Sequence, residues 1–330
     1  MKFSLIICTY QRPQALLKLL QSVALQSLYP HEIWIIDGSL NDKTENILKQ
    51  NPFKNLKYYI VSPQQRGLTK QRNIGISKVD ENSEVVCFLD DDTELKPNYF
   101  EEIIMTYQLH PEVLGVGGYI INEIDWEKVG ANDTPKLNEF YYDGYKRKDG
   151  SRFVLRKKLG LDSDKPPGYL PEFSHGRSIS FLPPSGKIYE VEQLMGGASS
   201  FRKSVFENLQ FSTYFEGYGL YEDADFTLRL SKLGKLVVNT AAKLYHYHEE
   251  SGRPNKYQYG KMVVRNGWYV WRVKHPNPSI KARFKWHAIT CLLMLIRFSN
   301  SFTSKNKWEA FTEAMGRKMG WLSMIVNKPK

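Results

Sequence analysis

The sequence predicts an α/β protein with a mostly parallel central sheet flanked by helices and a helical C-terminal extension. Three observations lead to this expectation. Short apolar runs alternate with helical patterns at the spacing of β-α-β units in the N-terminal part of the chain. Polar and acidic residues cluster where these runs end, as expected when a parallel sheet binds ligands at its strand ends. About the last 70 residues are helical in pattern, basic and rich in aromatics.

Four apolar runs account for the predicted strands of the N-terminal part: residues 3–8, 31–36, 56–61 and 85–89. Leucines at helical spacing follow the first run and begin after Pro13, which suits a first helical turn. Further helices are predicted at residues 42–50 and in LTKQRNIGI, after Gly67. A fifth apolar run covers residues 114–121. It precedes a polar, proline-containing stretch at 125–192 that we interpret as an insertion with hairpin or loop character.

The charge of the chain is unevenly distributed. The 330 residues carry a net charge of +11, whereas residues 256–330 contain fifteen Lys or Arg and two Glu. A basic end on a nearly neutral body indicates a polyanionic partner, either an anionic membrane surface or a nucleic acid. No nucleic-acid recognition module is evident, and the aromatics stand in apolar helical patterns, so we do not expect a nucleic-acid partner.

Three cysteines, Cys8, Cys87 and Cys291, are scattered in apolar runs without metal-ligand spacing. This argues for a reducing compartment rather than a disulfide framework. The sequence shows no signal peptide, and its longest apolar run, residues 288–296, is too short to span a bilayer. We therefore expect a cytoplasmic protein, and the basic C-terminus suggests peripheral attachment to the inner face of the cell membrane.

Three consecutive carboxylates stand in VVCFLDDDTEL, at the end of the fourth predicted strand. Adjacent carboxylates make one another harder to ionise by roughly 1 kcal/mol or more near a surface. The nearest cation is Lys96, and one lysine does not balance the four carboxylates Asp90, Asp91, Asp92 and Glu94. A divalent cation would, and oxygen ligands suit Mg²⁺ or Mn²⁺. The alternative interpretation is an acidic surface turn with helix-capping aspartates.

Two later segments carry further candidate groups. YEDADFTLRLSKLG places Glu222 and Asp223 at the start of a predicted helix, where capping is the simpler interpretation. A carboxylate beside the Gly- and Tyr-rich stretch before it could also act as a general base toward a hydroxyl. In YHYHEE, His246 and His248 would share one face of a strand, as metal ligands or as surface and packing residues.

The order and spacing of six segments resemble the family 2 glycosyltransferases, which have the GT-A fold with a Rossmann-like sheet. The resemblance covers most of the first 255 residues. The segments are SLIICTYQRP, HEIWIIDGSLND, RGLTKQRNIG, CFLDDDTELKPNYF, QLMGGASSFRKSVF and YEDADFTLRLSKLG.

The resemblance implies a nucleotide-diphosphate sugar as donor, a Mn²⁺ or Mg²⁺ cofactor and inversion at the anomeric carbon. The implied donor-binding residues are Thr9, Tyr10, Arg12, Asp37, Arg72, Asn73, Asp90 and Asp91. Asp92 is the implied direct metal ligand, joined by His246 or His248, of which His246 is preferred. Asp223 is the implied general base and Glu222 orients the acceptor. Gly38 stands where many members have a second, base-contacting aspartate, so a uridine, thymidine or guanosine donor stays open.

We therefore predict a catalytic domain at residues 1–255, with 125–192 as an insertion on the acceptor side, and a membrane-associating helical extension at 256–330. The predicted activity is metal-dependent transfer of a sugar to a hydroxyl of a glycan or lipid-linked acceptor. The alternative is a non-catalytic nucleotide- or polyanion-binding protein that has kept the same fold.

Overall fold

The computed structural model describes residues 1–215, 217–249 and 254–329. By compactness the chain divides into two units, Met1–Ile124 with Pro184–Gly252 and Asp125–Pro183 with Arg253–Lys330. Most of the predicted insertion thus groups with the C-terminal helices. The predicted boundary at residue 255 does not coincide with this division into compact units. The assignment of residues 1–255 as the catalytic domain stays a prediction.

The bounds of the elements follow. The strands are β1 (Phe3–Thr9), β2 (Glu32–Asp37), β3 (Leu56–Ile60), β4 (Val85–Asp90), β5 (Thr93–Leu95), β6 (Val113–Ile120), β7 (Glu127–Lys128), β8 (Glu139–Tyr142), β9 (Tyr145–Lys148), β10 (Ile188–Val191), β11 (Ala198–Arg202) and β12 (Lys235–His246). The α-helices are α1 (Pro13–Ala24), α2 (Lys43–Gln50), α3 (Leu68–Lys78), α4 (Tyr99–Leu109), α5 (Ser151–Lys158), α6 (Glu222–Leu230), α7 (Lys256–Lys274), α8 (Ile280–Thr303) and α9 (Lys307–Val326).

The first unit is built on a sheet of order β10-β12-β6-β11-β4-β1-β2-β3, in which β5 also pairs with β12. Pairs β1–β2, β1–β4, β2–β3 and β6–β12 are parallel. Strand β11 runs antiparallel to both β4 and β6, so those two strands share one direction. The predicted mostly parallel sheet flanked by helices is therefore confirmed.

Burial on both faces explains why the central strands are almost continuously apolar. In β1, Leu5, Ile6 and Ile7 are each at most 1% exposed, and the neighbouring β4 is equally enclosed. Helix α1 buries Leu16, Leu19 and Leu20 in the same core, as its leucine spacing predicts. The core thus holds the strands rigidly up to the polar residues with which they end.

The second unit contains a three-stranded sheet of order β7-β9-β8 and four helices, α5, α7, α8 and α9. Trp271 and Trp286 are stacked in its interior with ring centroids 5.4 Å apart. Ile289, near the start of the apolar run at residues 288–296, is fully buried. Part of this segment is therefore core. Across the helices that the structure describes, none combines the length and apolarity that a bilayer-spanning segment requires.

Helices α7 and α9 approach each other at two glycines. A Cβ atom on Gly316 would overlap the carbonyl group of Tyr257, and one on Gly260 would overlap that of Glu313. Backbone atoms cannot move aside as the end of a flexible side chain can. These two glycines therefore set the separation of the helices.

Substitution Gly316→Ala should lower the free energy of unfolding by about 1–3 kcal/mol, because the new methyl group forces the helices apart. Chemical denaturation followed by circular dichroism measures the change. Gly150→Ala is the matched control, since nothing lies within 4 Å of its Cβ position. Equal stability of the two variants would contradict the close approach.

Candidate active site

The site lies at the carboxyl edge of the parallel strands in the first unit. The strand register pairs Thr9 with Asp37 and Cys8 with Asp90 at the ends of β1, β2 and β4. Strand β12, parallel to β6, ends at His246. Residues far apart in sequence are thus gathered at one edge because their strands run in the same direction.

Asp91 is enclosed by two of the predicted donor-binding residues. The Thr9 hydroxyl donates to its Oδ2 at 2.7 Å, and Arg12 Nη1 donates to its Oδ1 at 3.1 Å. Asp91 is only 4% exposed. Burial raises the pKa of Asp91 to about 7, against the opposing effects of Arg12 and Thr9. Asp91 therefore anchors Thr9 and Arg12 rather than facing solvent.

Asp92 is adjacent in sequence but has a different environment. Its Oδ1 lies 3.1 Å from His246 Nε2, and its Oδ2 accepts a hydrogen bond from the backbone of Glu249 at 2.8 Å. Burial raises the pKa of Asp92, but the interactions with His246 and the Glu249 amide outweigh this and lower the pKa to about 2. Asp92 is thus held as an anion.

A divalent cation fits the residues at this point. One potential ligand atom from each of Asp90, Asp92 and His246 lies within 4.8 Å of the other two. Asp92 Oδ1 is a buried atom without a well-aligned hydrogen bond, although His246 Nε2 lies 3.1 Å from it. Two carboxylates and an imidazole suit Mn²⁺, and Mg²⁺ would use mainly the carboxylates. The predicted ligands Asp92 and His246 therefore lie together, and Asp90 joins them.

The positively charged guanidinium group of Arg72 is buried next to Asp90. Arg72 is 3% exposed, and its Nη1 lies 2.5 Å from Glu222 Oε1. Its Nη2 is 3.5 Å from Asp90 Oδ1. Burial raises the pKa of Glu222, and the repulsion from Asp90 and Asp223 adds to this while Arg72 opposes it. One guanidinium group thus lies within ion-pair distance of two carboxylates, those of Glu222 and Asp90.

Asp223 is positioned by backbone donors. Its Oδ2 accepts from the Gly196 amide at 3.0 Å and its Oδ1 from the Ala224 amide at 2.8 Å. Burial raises the pKa of Asp223, whereas these two hydrogen bonds act in the opposite direction. A higher pKa makes a carboxylate a stronger base, so Asp223 has the environment of a general base.

The capping interpretation of Glu222 and Asp223 is wrong. Helix α6 begins at Glu222, and its N-cap residue is Tyr221, which has a left-handed backbone (φ 70°) and makes no side-chain cap. Glu222 instead points its charge at Arg72. The acidic pair therefore occupies the first helical turn, where the helix dipole favours it, without being the cap.

Glycines let the chain approach these carboxylates closely. A Cβ atom on Gly196 would lie 2.7 Å from Glu222 Oε1 and 2.8 Å from Arg72 Nη1. A Cβ atom on Gly197 would overlap the Asp90 carboxylate. The two adjacent glycines are therefore required by contact with the charged cluster.

Four predicted site residues have contacts outside the Asp90–Asp92–His246 group and the Arg72–Glu222–Asp223 group. Asn73 exchanges two hydrogen bonds with the backbone of Phe211, at 2.9 and 3.0 Å. Asp37 is fully buried and accepts hydrogen bonds from Tyr58 and from the Ser39 amide. Tyr10 is 40% exposed. His248 lies beyond the end of β12 with φ 55° and contacts Glu123 rather than Asp92.

Several residues that support the site were not predicted. The Gln71 amide donates to the carbonyls of Thr9 and Ile36, at 3.2 and 2.8 Å, and so ties the ends of β1 and β2 together. A Cβ atom on Gly38 would lie 2.9 Å from Gln71 Oε1, which accounts for the glycine. The side-chain amide of Asn122 exchanges two hydrogen bonds with the backbone of His246. These residues have no distinctive sequence signal, because each acts through backbone groups distant in sequence.

Residues 4–159 match the family model described as glycosyl transferase family 2. The chain is also similar to a glucosyl-dolichyl phosphate glucuronosyltransferase of Haloferax volcanii, at 26% identity over 43% of this chain and 44% of that one. It is similar to the uncharacterized glycosyltransferase YwdF of Bacillus subtilis, at 25% identity over 57% of this chain and 58% of that one. The chain thus matches about half the length of these relatives.

Two solved structures share the fold. TarS (residues 1–349) of S. aureus superposes with a TM-score of 0.51 at 15% identity, over 99% of this chain and 81% of that one. GalNAc-T7, solved with UDP, GalNAc and Mn²⁺, gives a TM-score of 0.52 at 15% identity, over 89% of this chain and 57% of that one. Residues 4–159 are therefore similar to glycosyl transferase family 2, and the fold of the chain is the GT-A fold.

Proposed function

We propose that this protein transfers a sugar from a nucleotide-diphosphate donor to a hydroxyl of a glycan or lipid-linked acceptor, with inversion at the anomeric carbon. The observation that carries the proposal is the meeting of two charged clusters at Asp90. On one side are Asp92 and His246, suited to a cation, and on the other are Arg72, Glu222 and Asp223. The similarity of residues 4–159 to glycosyltransferases supports this assignment.

In this proposal the sugar-nucleotide donor binds at the sheet edge formed by the ends of β1, β2 and β4. Thr9 and Arg12 are fixed by Asp91, so their main chain borders a position for the nucleotide. Exposed Tyr10 offers a ring on which a base can stack. Asp37, enclosed beside Tyr58, acts on the donor through the shape of the 37–39 turn rather than through direct ionic contact.

A Mn²⁺ or Mg²⁺ ion held by Asp92, His246 and Asp90 would neutralise the diphosphate and so stabilise it as a leaving group. Asp92 is the strongest candidate ligand, because its low pKa keeps it charged at neutral pH. Arg12, whose Nη1 lies 3.6 Å from Asp92 Oδ2, keeps this carboxylate oriented.

Asp223 is the proposed general base that acts on the acceptor. In the proposed step, Asp223 takes the proton of the acceptor hydroxyl while that oxygen forms a bond to the anomeric carbon. The bond from this carbon to the diphosphate oxygen breaks on the opposite face, and the nucleotide diphosphate leaves with the electron pair. Glu222, fixed by Arg72 at 2.5 Å, orients the acceptor and the base. A single displacement of this kind inverts the configuration.

The alternative is a nucleotide-binding protein without catalysis. A binding protein has no requirement for a carboxylate held in a buried position with a raised pKa, and Asp223 has that arrangement. The geometry therefore favours the enzyme.

We further propose that the second unit contacts an anionic membrane surface. Four aromatic rings, Phe298, Phe302, Trp308 and Phe311, form a chain of contacts around the turn between α8 and α9. Phe302 is 69% and Trp308 is 73% exposed, and the exposed Lys305 and Lys307 stand between them. Exposed aromatics with adjacent lysines suit the headgroup region of a bilayer with anionic lipids. We call these four rings and two lysines the aromatic turn.

Release of nucleotide diphosphate from a panel of sugar nucleotides tests the function directly. With Mn²⁺ and a membrane extract as acceptor source, at least one donor should be consumed, and a chelator should reduce the rate at least about 100-fold, since the diphosphate charge is then unopposed. Restoring Mn²⁺ should restore the rate. Absence of turnover with every donor would favour the binding-protein alternative, and full activity with chelator would remove the cation from the proposal.

Asp223→Asn should lower kcat by about 10²–10⁴-fold, because the amide cannot accept the acceptor proton. Donor affinity, measured by calorimetry, should change by less than about threefold, since Asp223 is assigned to the acceptor. The exposed Glu81→Gln, in the loop between α3 and β4, is the matched control and should retain wild-type kcat. A large loss of donor affinity in the Asp223 variant would place Asp223 on the donor side instead.

Replacing Phe302 and Trp308 together by Ser should weaken binding to vesicles containing phosphatidylglycerol by about tenfold or more. Burial of either ring is worth about 1.5–3 kcal/mol, and 1.4 kcal/mol is a factor of ten. Vesicle co-sedimentation measures the change. Leu25 and Leu109 are 75% and 65% exposed in the first unit, and their double Ser variant is the matched control. Equal binding by both double variants would exclude the aromatic turn as the contact.

A further inference from the structure

Two further side chains, Glu123 and His248, converge at the end of β12 with His246, which is already assigned to the first cation site. One potential ligand atom from each of Glu123, His246 and His248 lies within 4.8 Å of the other two. His248 Nε2 is 2.8 Å from Glu123 Oε1, and the two imidazole rings have centroids 4.0 Å apart. Glu123 follows β6 and His246 ends β12, so the parallel pairing of these strands brings them together.

The backbone around this group is held by several hydrogen bonds. The Asn122 amide donates to the His246 carbonyl at 2.9 Å, and its oxygen accepts from the His246 N–H at 3.0 Å. The Tyr247 N–H donates to the Asp92 carbonyl at 3.0 Å. The segment that carries His248 is therefore held by hydrogen bonds to Asn122, which follows β6, and to Asp92, which lies between β4 and β5.

One polar atom in the group points to a ligand. His246 has a side chain that is 10% exposed, and its Nδ1 is buried without a hydrogen-bond partner. Leaving a buried polar atom unpaired costs about 1–3 kcal/mol. The nitrogen on the other side of the same ring, Nε2, is the one that faces Asp92. The imidazole thus offers one nitrogen to Asp92 and has a second without a protein partner.

We propose that Glu123, His246 and His248 form a second divalent-cation site, selective for Zn²⁺ over Mg²⁺, that competes with the Asp90–Asp92–His246 site for His246. Two imidazoles and one carboxylate are a ligand set that zinc uses readily, whereas Mg²⁺ prefers oxygen ligands. The first site, with two carboxylates and one imidazole, is more favourable to Mn²⁺ and Mg²⁺ than the second site is.

The competition follows from the shared imidazole. A neutral imidazole has one nitrogen that can donate a lone pair and one that carries a proton, so it ligates one ion at a time. Zn²⁺ bound through His246 and His248 therefore withdraws a ligand from the first site. Zn²⁺ is then an antagonist of the Mn²⁺-loaded enzyme, and this consequence alone rests on the proposed function.

The test measures metal binding to the full-length protein without donor. Zn²⁺ affinity is obtained by competition with a chromophoric chelator, and Mn²⁺ affinity by electron paramagnetic resonance. Glu123→Gln and His248→Ala should each weaken Zn²⁺ binding about 10-fold or more and change Mn²⁺ affinity less than about threefold. Asp92→Asn should show the reverse pattern, and His246→Ala should weaken both ions.

A matched control is His110→Ala. His110 Nδ1 lies 3.8 Å from Glu112 Oε1 in an exposed pair, and among the described residues His110 is in neither candidate cation group, so its loss should leave Zn²⁺ affinity unchanged. Circular dichroism and thermal unfolding show that each variant is folded.

Two results would overturn the proposal. Unchanged Zn²⁺ affinity in folded Glu123→Gln and His248→Ala would show that these residues are not ligands. Equal loss of Zn²⁺ affinity in Asp92→Asn and Glu123→Gln would place Zn²⁺ in the first site. Because no sugar nucleotide is present, a failure of the proposed transfer activity would leave these binding results unaffected.

Discussion

The organisation of the site depends on an excess of carboxylates over cations at the carboxyl edge of the sheet. Asp90, Asp91, Asp92, Glu222 and Asp223 converge there, while among the described residues the guanidinium groups that contact them are those of Arg12 and Arg72. Like charges at such distances in a partly desolvated place are unfavourable unless protons or further cations are taken up. Burial is the main cause of the raised pKa values of Asp91, Glu222 and Asp223, and repulsion from the neighbouring carboxylates adds to it.

The protein divides this negative charge into two parts with different chemistry. Arg72 stabilises the buried Glu222 beside Asp223, so that a base can lie near a fixed charge without being neutralised by it. At Asp92 the neighbouring His246 and the Glu249 amide stabilise the anion, which favours cation binding. Asp90 lies between the two parts. The same residue type therefore has three environments: hydrogen bonds from Thr9 and Arg12 at Asp91, an imidazole beside Asp92, and backbone amides at Asp223.

Close packing keeps these parts in register. Gly196 and Gly197 lie against Arg72, Glu222 and Asp90, where a methyl group has no room. Gln71 bonds to the carbonyl groups at the ends of β1 and β2. In the second unit, Gly260 and Gly316 have the same function for α7 and α9. Glycines and hydrogen bonds to the backbone therefore fix the positions of the segments that carry the charged residues.

The sequence by itself determined the α/β class, the strands around residues 3–8 and 85–89 and the clustering of acids at strand ends, because period and composition are local properties. It also identified Asp92, Asp223 and His246 as candidates through the order of short segments. It could not determine that Asp91 binds Thr9 and Arg12 whereas Asp92 contacts His246, since neighbours in sequence are distinguished only by long-range packing. The separation of His248 from Asp92, the meeting of His248 with Glu123 and the role of Asn73 at Phe211 were likewise decided by tertiary structure. The bonded partners lie 79 or more residues apart in sequence, and only the strand and loop arrangement brings their atoms together.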